Sequence, residues 1–144
     1  MKVDTILKAK GRRVVTVRPE SPLTTAIQRL KMERIGALVV SVDGETVLGI
    51  LSERDIVAGL AEEGTELLGR TVGERMAREV TTCSPEDSIR QVMAKMTQGR
   101  FRHLPVVDQG RLCGIISIGD VVKNRLEEIE LEATVLRDVY LARS

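Results

Sequence analysis

The chain repeats one pattern of apolar and polar positions, at residues 49–57 and again at residues 114–122. Each copy begins with a glycine and a short apolar strand, continues with Ser-x-x-Asp, and ends in an apolar pair that opens a helix. The apolar residues follow the two-residue period of a strand before the serine and the 3.6-residue period of a helix after it. Two strand-to-helix corners built alike, 65 residues apart, indicate an internal duplication.

The residues before each corner also match, with an offset of 66 up to the turn between the last two strands and 65 after it. A turn of this kind tolerates a change of one residue in length. In the first copy the pattern predicts a strand over residues 14–17, a helix capped by Ser21 and opened by Pro22, a buried strand over residues 37–42, a strand over residues 47–51, and a helix from Ser52 to about Glu62. The second copy predicts the same order, beginning with a strand at residues 81–83. Each repeat is therefore predicted to be β-α-β-β-α.

Residues 63–73 are charged, rich in glycine and without a sustained period, so they predict a linker, with one helical turn over residues 72–76. Residues 1–13 predict a brief helical or irregular lead-in. Neither repeat is large enough to be comfortably stable alone. We therefore expect an α/β (α+β) fold whose two repeats pack through their sheets about a pseudo-two-fold axis. The first repeat with its lead-in is predicted over residues 1–66, and the second, with an extended C-terminal helix, over residues 67–144.

The predicted last helix is longer than its counterpart in the first repeat. Its apolar residues step by four and three positions alternately, which is the seam of a heptad repeat, at Val122, Leu126, Ile129, Ala133, Leu136 and Tyr140. The seam either docks onto the same chain or joins two chains. Because it is longer than one small domain needs, its length favours self-association into a homodimer.

Composition excludes several classes of partner. The only aromatic residues are Phe101 and Tyr140, so the rings on which single-stranded nucleic acid stacks are missing, and a net charge of +1 argues against binding to a phosphate backbone. No apolar run approaches 18 residues and no signal-peptide pattern is present, so we expect no membrane association and a cytoplasmic location. No partner among nucleic acids or membranes is therefore predicted.

The sequence offers no catalytic constellation. It has one histidine and neither a phosphate-binding loop nor a dinucleotide fingerprint, so we expect no enzyme activity. Cys83 and Cys113 are too far apart for a paired metal-ligand motif and are interpreted as reduced, mostly buried thiols. Met93 and Met96 are interpreted as core residues.

These residues resemble the CBS domain in its tandem pair, as found in stand-alone bacterial and archaeal proteins. The resemblance covers residues 14–122 and is carried by the corners Gly-Ile-Leu-Ser-Glu-Arg-Asp and Gly-Ile-Ile-Ser-Ile-Gly-Asp and by Arg-His-Leu-Pro-Val-Val-Asp at residues 102–108. It implies a regulatory module that binds an adenosine-containing ligand in the cleft between the repeats. The ligands implied are AMP, ADP, ATP, NAD(H) or S-adenosylmethionine. It also implies pairing into a homodimer.

The two corners carry the residues expected to hold a ribose. Asp55 and Asp120 lie one turn into their helices, where a carboxylate can accept hydrogen bonds from both ribose hydroxyls. Ser52 and Ser117, at the helix starts, are candidates for a ribose or phosphate oxygen, and the amides of a helix start favour anions. The competing interpretation is a capping box, which needs no ligand.

The resemblance also implies pocket residues away from the corners. Threonines such as Thr16 and Thr82 contribute to the pocket in the family, and so do residues in the positions of Leu104 and Pro105. Basic residues just before that pair bind phosphate, here Arg102 and His103. Arg54 is a second phosphate candidate. The first repeat has Gly36-Ala37 where the second has Arg102-His103, which suggests two unequal sites. His103 is alternatively a structural or surface histidine.

Three functions fit these features. The favoured hypothesis is a non-enzymatic sensor that binds an adenine nucleotide and signals to an unidentified protein partner. The alternative is a homodimerisation adaptor with vestigial pockets. The third is a fragment of a larger enzyme, although the capped start and the complete last helix favour a stand-alone protein. The sequence leaves open which ligand binds and whether one or two sites are occupied.

Overall fold

A computed structural model describes residues 1–143. Its elements in chain order are α1 (Val3–Lys10), β1 (Thr16–Val17), α2 (Leu23–Glu33), β2 (Ala37–Val40), β3 (Gly49–Ser52), α3 (Glu53–Glu63), a 3-10 helix (Gly64–Gly69), α4 (Val72–Arg75), α5 (Ile89–Gly99), β4 (His103–Asp108), β5 (Arg111–Ser117) and α6 (Ile118–Arg143).

Each repeat forms one small sheet. In the first, β2 lies between β1, to which it is parallel, and β3, to which it is antiparallel. In the second, β4 and β5 are antiparallel, with an irregularity between Val106 and Val107. Two small sheets, their helices and the long C-terminal helix confirm the predicted mixed α/β fold class.

The predicted first strand of the second repeat is reduced to a single bridge. The Cys83 amide donates to the Pro105 carbonyl at 3.1 Å, and the Cys83 carbonyl accepts from the Val107 amide at 2.8 Å. The neighbouring Thr82 carbonyl accepts a bond from Lys95 Nζ at 2.9 Å. The prediction of a strand over residues 81–83 is therefore wrong: Pro105, which stands where β2 has Val39, has no amide hydrogen to donate to the Thr81 carbonyl, so the ladder stops at Cys83.

The start of α2 also differs from the prediction. The N-cap is Pro22 and not Ser21, and no side-chain bond caps the helix. The backbone there is held by a neighbouring segment, since the Leu23 amide donates to the Arg70 carbonyl at 2.9 Å and the Ser21 carbonyl accepts from the Val72 amide at 2.9 Å. These contacts place the residues that follow the 3-10 helix on the first repeat.

Two hydrophobic clusters form the core. The first combines apolar residues of β1, α2, β2 and β3 with Leu67 and Val72. The second combines residues of α5, β4, β5 and α6 with Val3, Ile6 and Leu7 of α1. The lead-in is therefore a helix packed on the second repeat, and the linker packs on the first. The division at residues 66 and 67 stays a prediction.

Backbone hydrogen bonds show that α1 and α4 are equivalent. The Val3 amide donates to the Asp87 carbonyl at 2.9 Å, and the Val72 amide donates to the Ser21 carbonyl at 2.9 Å. Two further pairs of bonds correspond in the same way: Asp4 to Pro85 and Gly73 to Pro19, and Ile89 to Met1 and Leu23 to Arg70. Each repeat thus receives the same short helix on the same backbone groups, but the helix that precedes the first repeat in sequence docks on the second.

The long helix α6 contributes one residue to the second cluster, near its start. Val121 is buried, while all six seam residues, including Ala133, are exposed on this chain.

No helix within residues 1–143 has the length and apolar character needed to cross a membrane. Both cysteines are free, Cys83 buried and Cys113 half-buried, and Met96 and Met93 belong to the second cluster, as predicted.

Candidate functional site

A cleft of about 630 Å³ lies between the two repeats. Its walls come from the first corner, from the segment that follows α4, and from the end of α5 with the start of β4 and of α6. The principal side chains are Ser52, Arg54, Asp55, Glu79, Thr81, Arg100, Phe101, Arg102, His103 and Ile118. This volume is within the range of small-molecule sites.

The first corner forms a capping box and still leaves one carboxylate oxygen available. Asp55 Oδ2 accepts bonds from the Ser52 amide at 2.8 Å and from Ser52 Oγ at 3.0 Å, and the Asp55 amide donates to Ser52 Oγ at 3.4 Å. Within the described chain, Asp55 Oδ1 accepts no hydrogen bond and the carboxylate has no ion-pair partner. Capping and ribose binding are therefore compatible at this corner.

The second corner has the same box but a different neighbour. Asp120 Oδ2 accepts from the Ser117 amide at 2.9 Å, and the Asp120 amide donates to Ser117 Oγ at 3.2 Å. Lys10 Nζ of α1 lies 2.7 Å from Asp120 Oδ2 and 3.0 Å from the Ile115 carbonyl. Burial raises the pKa of Asp120, but the bonds from Lys10 and the Ser117 amide outweigh it, so the pKa lies below its ordinary value.

Three arginines line the cleft without a carboxylate partner. Arg54, Arg100 and Arg102 form no ion pair within residues 1–143, although Glu53, Asp55 and Glu79 share the same walls. Arg100 ends α5 in the left-handed conformation, with φ of 57°. Unpaired guanidinium groups are well suited to bind phosphate because they can donate two bonds at once.

His103 lies where the repeats meet. Burial lowers the pKa of its imidazole, with a further lowering from Arg102, while Glu53 acts in the opposite direction. A neutral imidazole in this position can donate or accept one hydrogen bond at the cleft wall. Near pH 7 the cleft's positive charge therefore comes from its arginines.

The structure brings together five of the predicted site residues: Ser52, Arg54, Asp55, Arg102 and His103. The others do not line this cleft. Ser117 and Asp120 lie at the second corner, Thr16 pairs with Val39 in the first sheet, Thr82 bonds Lys95, and Leu104 and Pro105 lie in β4. Their predicted roles in binding stay predictions.

Sequence reasoning missed several lining residues. Arg100 has a counterpart 66 residues earlier, Arg34, which ends α2 with φ of 55°, so the repeat alignment carried a signal for it. Phe101 is one of only two aromatic residues and forms part of the wall. Thr81, the neighbour of the predicted Thr82, lines the cleft. In the part of the chain described, no group of three metal-ligating side chains is assembled.

The fold and the site define a tandem pair of CBS domains. A sequence profile of the CBS domain matches residues 10–62 and 72–127, and the chain belongs to this family. It is similar to the CBS-domain protein ATU1752 from Agrobacterium tumefaciens, with 46% identity and a TM-score of 0.84 over 87% of this chain and 99% of that one. It is 30% identical to the mitochondrial CBSX3 of Arabidopsis thaliana over 134 residues, which are 88% of this chain and 65% of CBSX3. The chain thus spans less than two thirds of that relative.

Two similar structures were solved with adenosine-containing ligands. The CBS domain pair of MJ0100, described in complex with 5′-methylthioadenosine and S-adenosylmethionine, is 25% identical, with a TM-score of 0.76 over 85% of this chain and 98% of that one. CBSX2, described in complex with AMP, is 26% identical, with a TM-score of 0.73 over 88% of this chain and 96% of that one. CBS pairs similar to this chain therefore bind adenosine ligands, and the family is typically regulatory and not catalytic.

Proposed function

We propose that this protein is a non-enzymatic sensor that binds an adenosine-containing nucleotide in the cleft beside Asp55. The observation that carries the proposal is the free Oδ1 of Asp55 in a cleft lined by three unpaired guanidinium groups. A carboxylate oxygen there can accept a hydrogen bond from a ribose hydroxyl. Charge-assisted bonds of this type are about twice as strong as neutral ones.

The rest of the nucleotide fits the remaining walls. The base would lie against the apolar surfaces of Ile50, Val80, Phe101 and Ile118, which include the cleft's one phenyl ring. The phosphates would reach Arg54, Arg100 and Arg102. Because S-adenosylmethionine has a sulfonium cation where nucleotides have phosphates, this arrangement favours AMP, ADP, ATP or NAD(H) over S-adenosylmethionine.

The signal would be a change in the geometry between the repeats. A ligand shifts such an equilibrium only if it binds one arrangement more tightly than the other. Contacts from both repeats to one nucleotide provide this difference. We further propose that the protein is a cytoplasmic homodimer joined through the seam of α6, and that it passes occupancy to a protein partner.

The test is thermal unfolding against AMP, ADP, ATP, NAD⁺, NADH and S-adenosylmethionine at equal millimolar concentration, with GMP as the control. A ligand at a hundred times its dissociation constant stabilises the native state by about 2.7 kcal/mol, which raises Tm by several degrees. Asp55→Asn should abolish most of this shift while the variant stays folded, since an amide oxygen still accepts the Ser52 bond. No shift with any adenine compound would overturn the proposal.

A second candidate function is a homodimerisation adaptor. It is favoured by the Ser52–Asp55 capping box, which is complete without a ligand, and by the exposed seam of α6. In that case the Asp55→Asn/Asp120→Asn double variant would match the wild-type protein in oligomeric state and in its response to every nucleotide of the panel.

A further inference from the structure

The two duplicated corners differ in the surroundings of their aspartate carboxylates. Asp55 faces an open cleft, whereas Asp120 forms an ion pair with Lys10. We propose that Lys10 is a built-in occupant of the second ligand position, so that the chain binds one nucleotide, at Asp55, and not two. This inference rests on the proposed function, because it concerns how many ligands the same pair of corners accepts.

Lys10 is held in place by a docked helix. It is the last residue of α1, whose Val3, Ile6 and Leu7 are buried in the second hydrophobic cluster. The Leu7 side chain lies against Gly114, where an added β-carbon would stand 2.6 Å from Leu7 Cδ2. The ammonium therefore reaches Asp120 from an anchored backbone, which lowers the entropy cost of the ion pair relative to a free surface lysine.

The ion pair neutralises the group that a ribose would need. Lys10 Nζ donates to Asp120 Oδ2 at 2.7 Å and to the Ile115 carbonyl at 3.0 Å. The Ser117 amide donates to the same carboxylate oxygen at 2.9 Å. A ribose hydroxyl would have to bind the other oxygen, Oδ1, beside an ammonium that already neutralises the carboxylate, so its bond would lose most of the charge assistance that Asp55 offers.

The second corner also lacks most of the cations that the first one has. In the repeat alignment, Gly119 stands where the first corner has Arg54, and Gly36 stands where the first cleft has Arg102. Of the three guanidinium groups, only Arg100 has a counterpart, Arg34. A nucleotide at the second corner would thus meet a neutralised ribose acceptor and would lose two of its phosphate contacts.

The test is isothermal titration calorimetry of the full chain, with AMP and separately with adenosine as probes. We expect one equivalent of AMP to bind the wild-type chain, a loss of affinity of at least tenfold in Asp55→Asn, and no change in Asp120→Asn. Lys10→Met removes the ammonium and keeps the apolar stem. It should add a second equivalent of adenosine, which needs no phosphate contacts, and Lys10→Met/Asp120→Asn should remove it again.

Two controls separate this effect from a general disturbance of α1. Lys8→Met removes an ammonium from the same helix, where it pairs with Asp4 at 3.1 Å, and should leave one equivalent. Lys10→Arg keeps a cation opposite Asp120 and should also leave one. Circular dichroism confirms that each variant is folded.

Three results decide the matter. Two equivalents on the wild-type chain, with Asp120→Asn removing one, would overturn the role of Lys10 while supporting the proposed function. A Lys10→Met variant that is folded and still binds one equivalent would also overturn it. If neither probe binds the wild-type chain or Lys10→Met, the proposed function fails and the role of Lys10 fails with it.

Discussion

The imidazole of His103 lies against the backbone of Gly36: a β-carbon on Gly36 would stand 2.9 Å from its Cε1 and 3.1 Å from its Nε2. A residue of the second repeat thus touches the first repeat at the wall of the cleft. Burial in this contact, together with Arg102, keeps the pKa of His103 below its ordinary value of 6.5. Two measurable consequences follow from that position.

The protonation of His103 should depend on the nucleotide. This is the only histidine of the chain, so its Cε1 proton gives a single resonance that can be titrated by NMR without assignment. We expect a pKa below 6.5 in the free protein, because burial disfavours the charged ring. Adding AMP should raise it, because a phosphate nearby favours imidazolium. The same pKa with and without saturating AMP would contradict a phosphate in this part of the cleft.

The free energy of unfolding should decrease as the pH is lowered, because the buried His103 ring is then forced to accept a proton. Because the folded-state pKa is below the unfolded one, the unfolded chain binds more protons between the two values. The contribution is fully present above the unfolded value, near 6.5, and is lost as the pH falls through the folded pKa. Urea unfolding across this range should show the loss in the wild-type protein, and His103→Gln should flatten the curve there. Equal slopes in both proteins would contradict the burial of the ring.

Gly114→Ala should destabilise the docked α1. The added methyl would stand 2.6 Å from Cδ2 and 3.0 Å from Cδ1 of Leu7, which is fully buried. Overpacking of this kind costs about 1–3 kcal/mol of the free energy of unfolding. Gly69→Ala is the matched control, since nothing lies within 4 Å of its added methyl. If denaturant unfolding gives the same midpoint for both variants, α1 can shift away from the added methyl with no loss of stability.

Cys83 should report the opening of the second cluster. Burial raises the pKa of its thiol to about 12, with a smaller effect from Asp87, so very little thiolate forms at neutral pH. Burial also raises the pKa of Cys113, which is only half-buried. With a thiol reagent at pH 8 we expect Cys113 to react first and Cys83 to react only as fast as the protein opens. In Cys113→Ser, a fast-reacting thiol would contradict this order.

Substitution on the seam of α6 should weaken the proposed homodimer. Leu136 lies on the seam and is 71% exposed on this chain, whereas Leu131 lies off the seam and is 64% exposed. Because a heptad interface buries only its seam positions, Leu136→Lys should raise the dimer dissociation constant at least tenfold and Leu131→Lys should not. Sedimentation equilibrium measures both. If the two variants and the wild-type chain sediment alike, α6 does not join two copies.

Local signals predicted much of this structure. The change of period at Ser52 and Ser117 locates both strand-to-helix corners, and the repeat alignment predicts α5 as the counterpart of α2. These features depend on residues within a few positions of each other, which a sequence displays directly. The capping interpretation and the ribose interpretation of Asp55 could not be separated, because both require a serine three residues before a carboxylate.

Long-range contacts were beyond the sequence pattern. The apolar residues of α1 indicate a buried face but do not say which repeat covers it. The pair of Lys10 and Asp120 joins residues 110 positions apart, which no local pattern displays. Arg100 enters the cleft through a left-handed backbone conformation at the end of α5, which depends on how that helix stops.

The crosswise docking of α1 and α4 makes the second packing unit discontinuous in sequence. That unit consists of α1 and the residues from Cys83 onward, and the first unit is inserted between them in the sequence. If the first unit unfolds in place, its roughly 70 residues form a loop whose two ends remain held by the second unit, which costs about 4 kcal/mol of chain entropy by the loop-closure relation. The folded second unit therefore stabilises the first unit against unfolding, and the first unit loses this stabilisation when it is excised from the chain.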